Sequence, residues 1–159
     1  MNNEIKLVSV TQEHTDFILK LNNSDLGLKS FYRTISREQH LVFLEKTKND
    51  RYYLVLVGEV PAGTVSIYNI DLENKKAEWG RFILLPKFFT VGFLVAKMIQ
   101  QIAFQELDLH KLYCWCFSTN TNIIAFNKAL GFTEEGHFID HFWRDGKYHD
   151  IQYFAKFKK

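Results

Sequence analysis

The sequence predicts a single α/β domain built around a mixed sheet, and three observations carry that expectation. Apolar periodicity alternates between the strand and helix repeats along all 159 residues, in the order β-α-α-β-β-β-α-β-α-β-β. Ser36-Arg-Glu-Gln39 has the form of a capping box, with a hydroxyl at the cap and an amide three residues on. Arg144-Asp-Gly-Lys147 lies between two β-rich runs, and Asp-Gly in that setting marks a tight hairpin. A chain of this length buries roughly 70% of the surface its unfolded form exposes, so it needs no disulfide or metal to fold. No internal repeat or shift in composition divides it.

The elements follow in chain order. Glu4 to Val10 alternates Ile5, Leu7 and Ser9 on one face, a first strand. Thr11 is a helix cap ahead of a short stripe at Phe17, Ile18 and Leu21. Asn22-Asn-Ser-Asp25 ends that helix, and a polar stretch leads to the Ser36 box. The helix after it carries His40, Phe43, Leu44 and Thr47. Tyr52 to Val57 and Thr64 to Ile70 form a hairpin around Gly58-Glu-Val-Pro61. Glu73-Asn-Lys-Lys76 is the next turn, and Ala77 to Leu85 is a strand that Pro86 ends. Phe93 to Leu107 places Val95, Met98, Ile99, Ile102 and Ala103 at helical spacing. Leu112 to Phe117 is a strand. Asn120 to Leu130 is a helix closed by Gly131, and Thr133 to Trp143 and Lys147 to Phe157 are the last strands.

Composition narrows the function classes. Apolar residues make up 47% and charged residues 24%, as in soluble globular domains. The net charge of +2 is too small and too scattered for a nucleic-acid surface, and it is compatible with an anionic small ligand. Lys156, Lys158 and Lys159 read as a solvated tail. Cys114 and Cys116 fall on one face of a strand as small buried hydrophobes, with no second ligand pair at zinc spacing, so no metal is expected. Met1-Asn-Asn-Glu-Ile5 lacks the apolar segment of a signal peptide. The longest mostly apolar stretch, Phe88 to Ile99, is interrupted by Thr90 and Lys97 and is too short to span a bilayer. The expected location is the cytoplasm, with no membrane or nucleic-acid partner.

Several strings resemble the GNAT superfamily of acetyltransferases over nearly the whole chain, most specifically from Ala77 onward. Ala77-Glu-Trp-Gly80 followed by Pro86 resembles the family's fourth strand and its exit. Asn120-Thr-Asn-Ile-Ile-Ala-Phe-Asn-Lys-Ala-Leu-Gly-Phe132 resembles the helix that ends in Leu-Gly-Phe. Glu134-Glu-Gly136 and Trp143-Arg-Asp-Gly-Lys-Tyr-His-Asp150 are similar to the C-terminal hairpin of the branch acting on ribosomal-protein N-termini, polyamines and nucleotide-linked amino sugars. Leu21-Asn-Asn23 and Ile35-Ser-Arg-Glu-Gln-His40 are similar to its amino-sugar members. The resemblance implies a mixed, mostly antiparallel sheet of about six to seven strands flanked by about four helices. It implies acetyl-CoA as cosubstrate and a small-molecule amine as acceptor, and it is compatible with a homodimer.

The resemblance also implies roles. A helix N-terminus presents free N–H groups and a positive dipole end to a pyrophosphate, which places Thr90, Val91, Gly92, Phe93 and Leu94 at the coenzyme. The family's Gly-x-Gly or Gly-x-Ala is altered here, because Phe89 stands where Arg or Gln is usual and Leu94 fills the last small position; a hydrophobic helix start is the other reading of this loop. The backbone of the Arg81 to Leu85 strand, with Phe82, Ile83 and Leu84 foremost, would hold the pantetheine arm and the oxyanion. Asn120 would bind the pantetheine amide, or simply cap its helix. Asn127 occupies the position where many members carry a Tyr general acid, and Tyr148 or Ser118 would have to act in its stead, or water. Glu78 is the candidate general base, with a solvent-facing strand residue as its other reading. Asn22, Asn23 and His40 would line the acceptor pocket. His137, His141 and His149 read as structural. Three functions remain open: an N-acetyltransferase for a small amine such as a nucleotide-linked amino sugar, one for a protein N-terminus, and a binding module that has lost catalysis.

Overall fold

A computed structural model describes residues 4–31 and 33–159. These form β1 (Ile5–Ser9), α1 (Thr15–Asn22), α2 (Asp25–Phe31), α3 (Arg37–Lys46), β2 (Arg51–Val57), β3 (Val60–Asp71), β4 (Lys76–Leu84), α4 (Gly92–Gln101), β5 (Lys111–Phe117), α5 (Thr121–Ala129), β6 (Thr133–Arg144) and β7 (Lys147–Phe157). The seven strands are ordered β1-β2-β3-β4-β5-β7-β6. The β1–β2, β2–β3, β5–β7 and β6–β7 pairs are antiparallel, and β4–β5 is parallel. The predicted mixed, mostly antiparallel α/β sheet is therefore what the chain forms, with α2 as an additional helix.

The chain divides into two compact units. The first holds the residues up to Ile70 together with Trp79–Ile99. Its core is built by Ile18 and Leu21 of α1, Val55 of β2, Val65 and Ile67 of β3 and Val95 of α4, all at most 2% exposed. The Ser36 box forms as expected: Gln39 N–H donates to Ser36 Oγ at 3.1 Å, and Ser36 N–H donates to Gln39 Oε1 at 2.9 Å. Helix α2 carries no apolar stripe, and Gly27 at its middle weakens it on propensity. That glycine is required by packing. A Cβ there would lie 2.3 Å from the carbonyl oxygens of Leu21 and Asn22, at the end of α1.

The second unit holds Asp71–Glu78 and Gln100–Lys159. In β5 the alternation buries Leu112, Cys114 and Cys116 on one face. The β6–β7 turn has Asp145 at φ 52° and Gly146 at φ 76°, the paired positive angles that the predicted two-residue hairpin demands. Asn120 caps α5 by accepting from Ile123 N–H at 3.2 Å.

Helix α4 is longer than its α-helical part. A 3₁₀ segment, Pro86–Val91, leads into it and a π turn, Ile102–Glu106, leads out, with Leu107 N–H donating to Ile102 O at 2.9 Å. The continuous run Pro86–Glu106 is 21 residues with a mean hydropathy of 1.2 in its most apolar window. By length and composition alone it is long and apolar enough to cross a bilayer. Val95, Ala96, Ile99 and Ala103 on it nevertheless have no exposed surface within the protein.

Candidate active site

The first unit contains a cavity of about 620 Å³, within the range of small-molecule sites. Asn22 from the last turn of α1 and His40 from α3 both line it. The capping box fixes the register of α3, since His40 N–H makes the first α-helical bond, to Ser36 O at 3.0 Å. Asn22 is 7% exposed and His40 1%. Asn22 Oδ1 and His40 Nε2 are buried and have no hydrogen-bond partner among the described residues. Such orphaned groups are costly and call for a partner that the described residues do not supply. Burial, helped by the Arg37 charge, lowers the His40 pKa below its ordinary 6.5, so the imidazole is neutral at pH 7. Asn23, predicted beside Asn22, is placed differently. Its Nδ2 donates to Ile35 O at 2.9 Å, and its Oδ1 accepts from Ile35 N–H at 2.8 Å. It closes the chain segment that carries Arg33 and Ile35, and these two line the cavity.

Arg81, expected to contribute only through its backbone, also lines the cavity. Its guanidinium lies 4.9 Å from the Phe43 ring centre and 4.0 Å from that of Tyr68. Nη1 donates to Asp50 Oδ2 at 2.7 Å and to Ser66 Oγ at 3.3 Å. Gly80 makes room for this stack, since a Cβ there would come within 3.0 Å of the Tyr68 hydroxyl. Arg81 itself has φ 47°, a left-handed angle that costs a non-glycine residue roughly 1–3 kcal/mol. Tyr52 completes the wall, its phenol pushed up to about 12 by burial.

The start of α4 differs in character. Phe89 and Leu94 are each 56% exposed and Phe93 is 40% exposed. Gly92 packs beside Phe82 and Leu84, and a Cβ on it would stand 3.9 Å and 3.6 Å from their side chains. The Gly92 N–H donates to Phe89 O within the 3₁₀ segment, so this amide is already used. Lys87 and Lys97 flank the exposed rings, over Phe88 at 4.9 Å and Phe93 at 5.3 Å.

Backbone geometry of β4 is more favourable to the cosubstrate. Arg81 O accepts from Thr64 Oγ1 at 3.3 Å, and Leu85 N–H donates to Ala62 O at 2.8 Å, so the odd residues turn toward β3. Phe82 and Leu84 turn their amides and carbonyls to the other edge. Parallel pairing of β4 with β5 extends from Lys76 to Glu78. Beyond it that edge offers donors and acceptors of the kind an extended amide chain matches. Ile83 faces β3 through its carbonyl, with its side chain in the core.

In the second unit Glu78 is 7% exposed and paired with Tyr113. Burial first, and then the Glu78 charge, raise the pKa values of Tyr113 and Tyr153, which keeps both phenols protonated beside it. Asn127 on α5 is 2% exposed, and its Nδ2 has no partner among the described residues. That unmet donor is free to meet an acceptor atom of a ligand. Ser118 Oγ is likewise buried without a partner, whereas Tyr148 is 57% exposed against Trp143. His137 pairs with Asp150 at 3.0 Å, His149 Nε2 lies 3.2 Å from Arg144 O, and His141 packs on Phe138. No group of three or more His, Cys, Asp or Glu among the described residues is arranged to hold a metal ion.

The profile of the acetyltransferase (GNAT) domain family matches residues 7–152. The chain belongs to the GNAT acetyltransferase family. It is an N-acetyltransferase that takes its acyl group from acetyl-CoA. Among relatives, a putative ribosomal N-acetyltransferase of Bacillus subtilis, YdaF, is 32% identical over 99 residues, 61% of this chain and 54% of that protein. The chain thus spans about half the length of that relative. The spermidine N(1)-acetyltransferase of Vibrio cholerae is 24% identical over 161 residues, 96% of this chain and 92% of that protein. The crystal structure of the Vibrio cholerae spermidine N-acetyltransferase in complex with CoA and spermine superposes with a TM-score of 0.89 at 22% identity, covering 99% of this chain and 97% of that one.

Proposed function

We propose that residues 1–159 act as one acetyltransferase domain that acetylates the primary amine of a small molecule held in the cavity of the first unit. The observation that carries this reading is the pair of buried, unpartnered polar atoms there, Asn22 Oδ1 and His40 Nε2. Asn22 Oδ1 needs a donor, and neutral His40 Nε2 takes either role. A sugar hydroxyl supplies both, though an amine N–H would also serve; the similarity of Leu21-Asn-Asn23 and Ile35–His40 to amino-sugar members makes an amino sugar, carried on a nucleotide, the acceptor we favour over a bare alkyl amine. Likeness to a ribosomal N-acetyltransferase favours a protein N-terminus as the second reading, and likeness to spermidine acetyltransferases favours a polyamine.

When bound, acetyl-CoA supplies an activated acyl group as a thioester. Around it, the chain's residues divide the work. The Phe82 and Leu84 backbone groups would hold the pantetheine arm, Asn127 Nδ2 would donate to the coenzyme, and Asn120 would continue to cap α5. Thr90, Val91, Phe93 and Leu94 would contribute at the phosphates through the backbone alone. Glu78 would take the proton of the attacking amine. The test is a panel of amines assayed for acetyl transfer: nucleotide-linked amino sugars, N-terminal peptides and spermidine. Transfer confined to the sugars supports the reading, and transfer confined to peptides replaces it with the second one.

A further inference from the structure

The cavity's ionic lining is unbalanced. Arg33, Lys46 and Arg81 are cationic, and Glu38 is the one carboxylate among the described lining residues. Asp50 offsets Arg81 from outside that lining, and a positive excess remains. A polyamine entering such a space would bring ammonium groups against like charges where water is partly excluded. The lining suits a guest of the opposite sign.

Arg81 is the best prepared of the three. Its side chain is 24% exposed. Two rings, Asp50 and Ser66 hold the guanidinium plane. Those contacts use Nη1 alone, and Nε and Nη2 have no partner among the described residues. The Nε–Nη2 edge is a planar fork of two parallel N–H donors, the geometry that matches a carboxylate or phosphate bidentately. The left-handed backbone angle at this residue is the kind of local strain that persists where a side chain must be aimed.

We propose that the acceptor carries a phosphate or carboxylate in addition to its amine, and that the Nε–Nη2 edge of Arg81 binds this anion, with Arg33 and Lys46 adding charge. The inference rests on the reading that this cavity takes the acceptor. It separates this chain from a polyamine acetyltransferase by the sign of the acceptor's second group.

Initial-rate kinetics at saturating acetyl-CoA, with four amines, test it: glucosamine 6-phosphate, muramic acid, glucosamine and spermidine. The first two present the phosphate and the carboxylate on the same amino-sugar frame, so the preferred one identifies the anion. The expected result is a kcat/KM for at least one of them about tenfold or more above both glucosamine and spermidine. In Arg81→Lys, which keeps the charge and a partner for Asp50 but loses the fork, that ratio falls about tenfold through KM. Lys46→Gln lowers it by a smaller factor and raises its dependence on salt. A wild-type preference for spermidine, or an anion preference that survives in both Arg81→Lys and Arg81→Gln, overturns the proposal. Acetyl-CoA affinity, measured by calorimetry on each variant, verifies that the variants are folded. The cavity reading fails separately, if Asn22→Ala and His40→Phe leave KM unchanged for whichever amine is turned over.

Discussion

The cavity of the first unit and the start of α4 are two candidate binding regions that differ in construction. The cavity is specified by side chains: buried amide and imidazole atoms without partners, and an arginine fixed on four sides. The start of α4 presents exposed Phe89, Phe93 and Leu94, and the Gly92 amide is already committed to Phe89 O. On the proposed reading, what would remain for the coenzyme is backbone, chiefly the Phe82 and Leu84 edge. The difference would then place specificity in the cavity. Acceptor choice would rest on particular side chains and be vulnerable to single substitutions. Donor binding would rest on main chain and tolerate the loss of the family's usual loop residues, at a cost in affinity.

The substitutions that probe this contrast can be ranked by expected effect. Glu78→Gln removes the proposed proton acceptor and should lower kcat by about 10²-fold or more at neutral pH, with acetyl-CoA affinity nearly unchanged. Stopped-assay rates and calorimetry on the same preparation read both quantities. Asn22→Ala removes one acceptor from the cavity and should raise the acceptor KM about three- to tenfold, the range of one hydrogen bond. An equal change in acetyl-CoA affinity would erase the contrast between the regions. Leu94→Gly clears space at the start of α4 and should tighten acetyl-CoA binding about threefold, less whatever the glycine costs the helix. Unchanged or weaker binding would remove crowding as the explanation for the altered loop.

The smallest effect is on stability. The unfolded chain protonates His40 near its ordinary 6.5, while burial in the folded chain holds the pKa lower. More protons are bound in the unfolded state, so stability is full above about pH 6.5 and falls as pH drops below it. Urea midpoints at pH 7.5 and 5.5 measure the slope. His40→Gln should flatten it, and an unaltered slope would assign the acid sensitivity to another group.

Much of the fold was legible because local chemistry and tertiary packing agree. The Ser36 box, the Asp145-Gly146 turn and the β5 alternation all form as their residues dictate. Helix α2 was not legible, because Gly27 answers to the Leu21 and Asn22 carbonyls and lowers the local propensity that a sequence reader weighs. Its trace was Ser24, whose Oγ accepts from Gly27 N–H at 3.2 Å as a cap would. The π turn after α4 left no trace at all. For the site, Asn22 and His40 were named by resemblance, and both line the cavity. The Arg81 side chain was missed because its importance lies in partners far apart in sequence, Phe43, Asp50, Ser66 and Tyr68.

The two thiols of β5 carry a practical consequence. Cys114 and Cys116 are each 7% exposed, and burial pushes the Cys116 thiol up to about 11, with Glu134 adding to the shift. A thiolate is the reactive form, so in the native chain Cys116 is protected from alkylation twice over, by access and by protonation. Its modification therefore requires the second unit's sheet to open. The rate at which a small maleimide or disulfide reagent consumes the thiols then measures how often that opening occurs. The unmodified protein carries its own gauge of local breathing, and a ligand that clamps the second unit would register as slower labelling without any dye, tag or engineered cysteine.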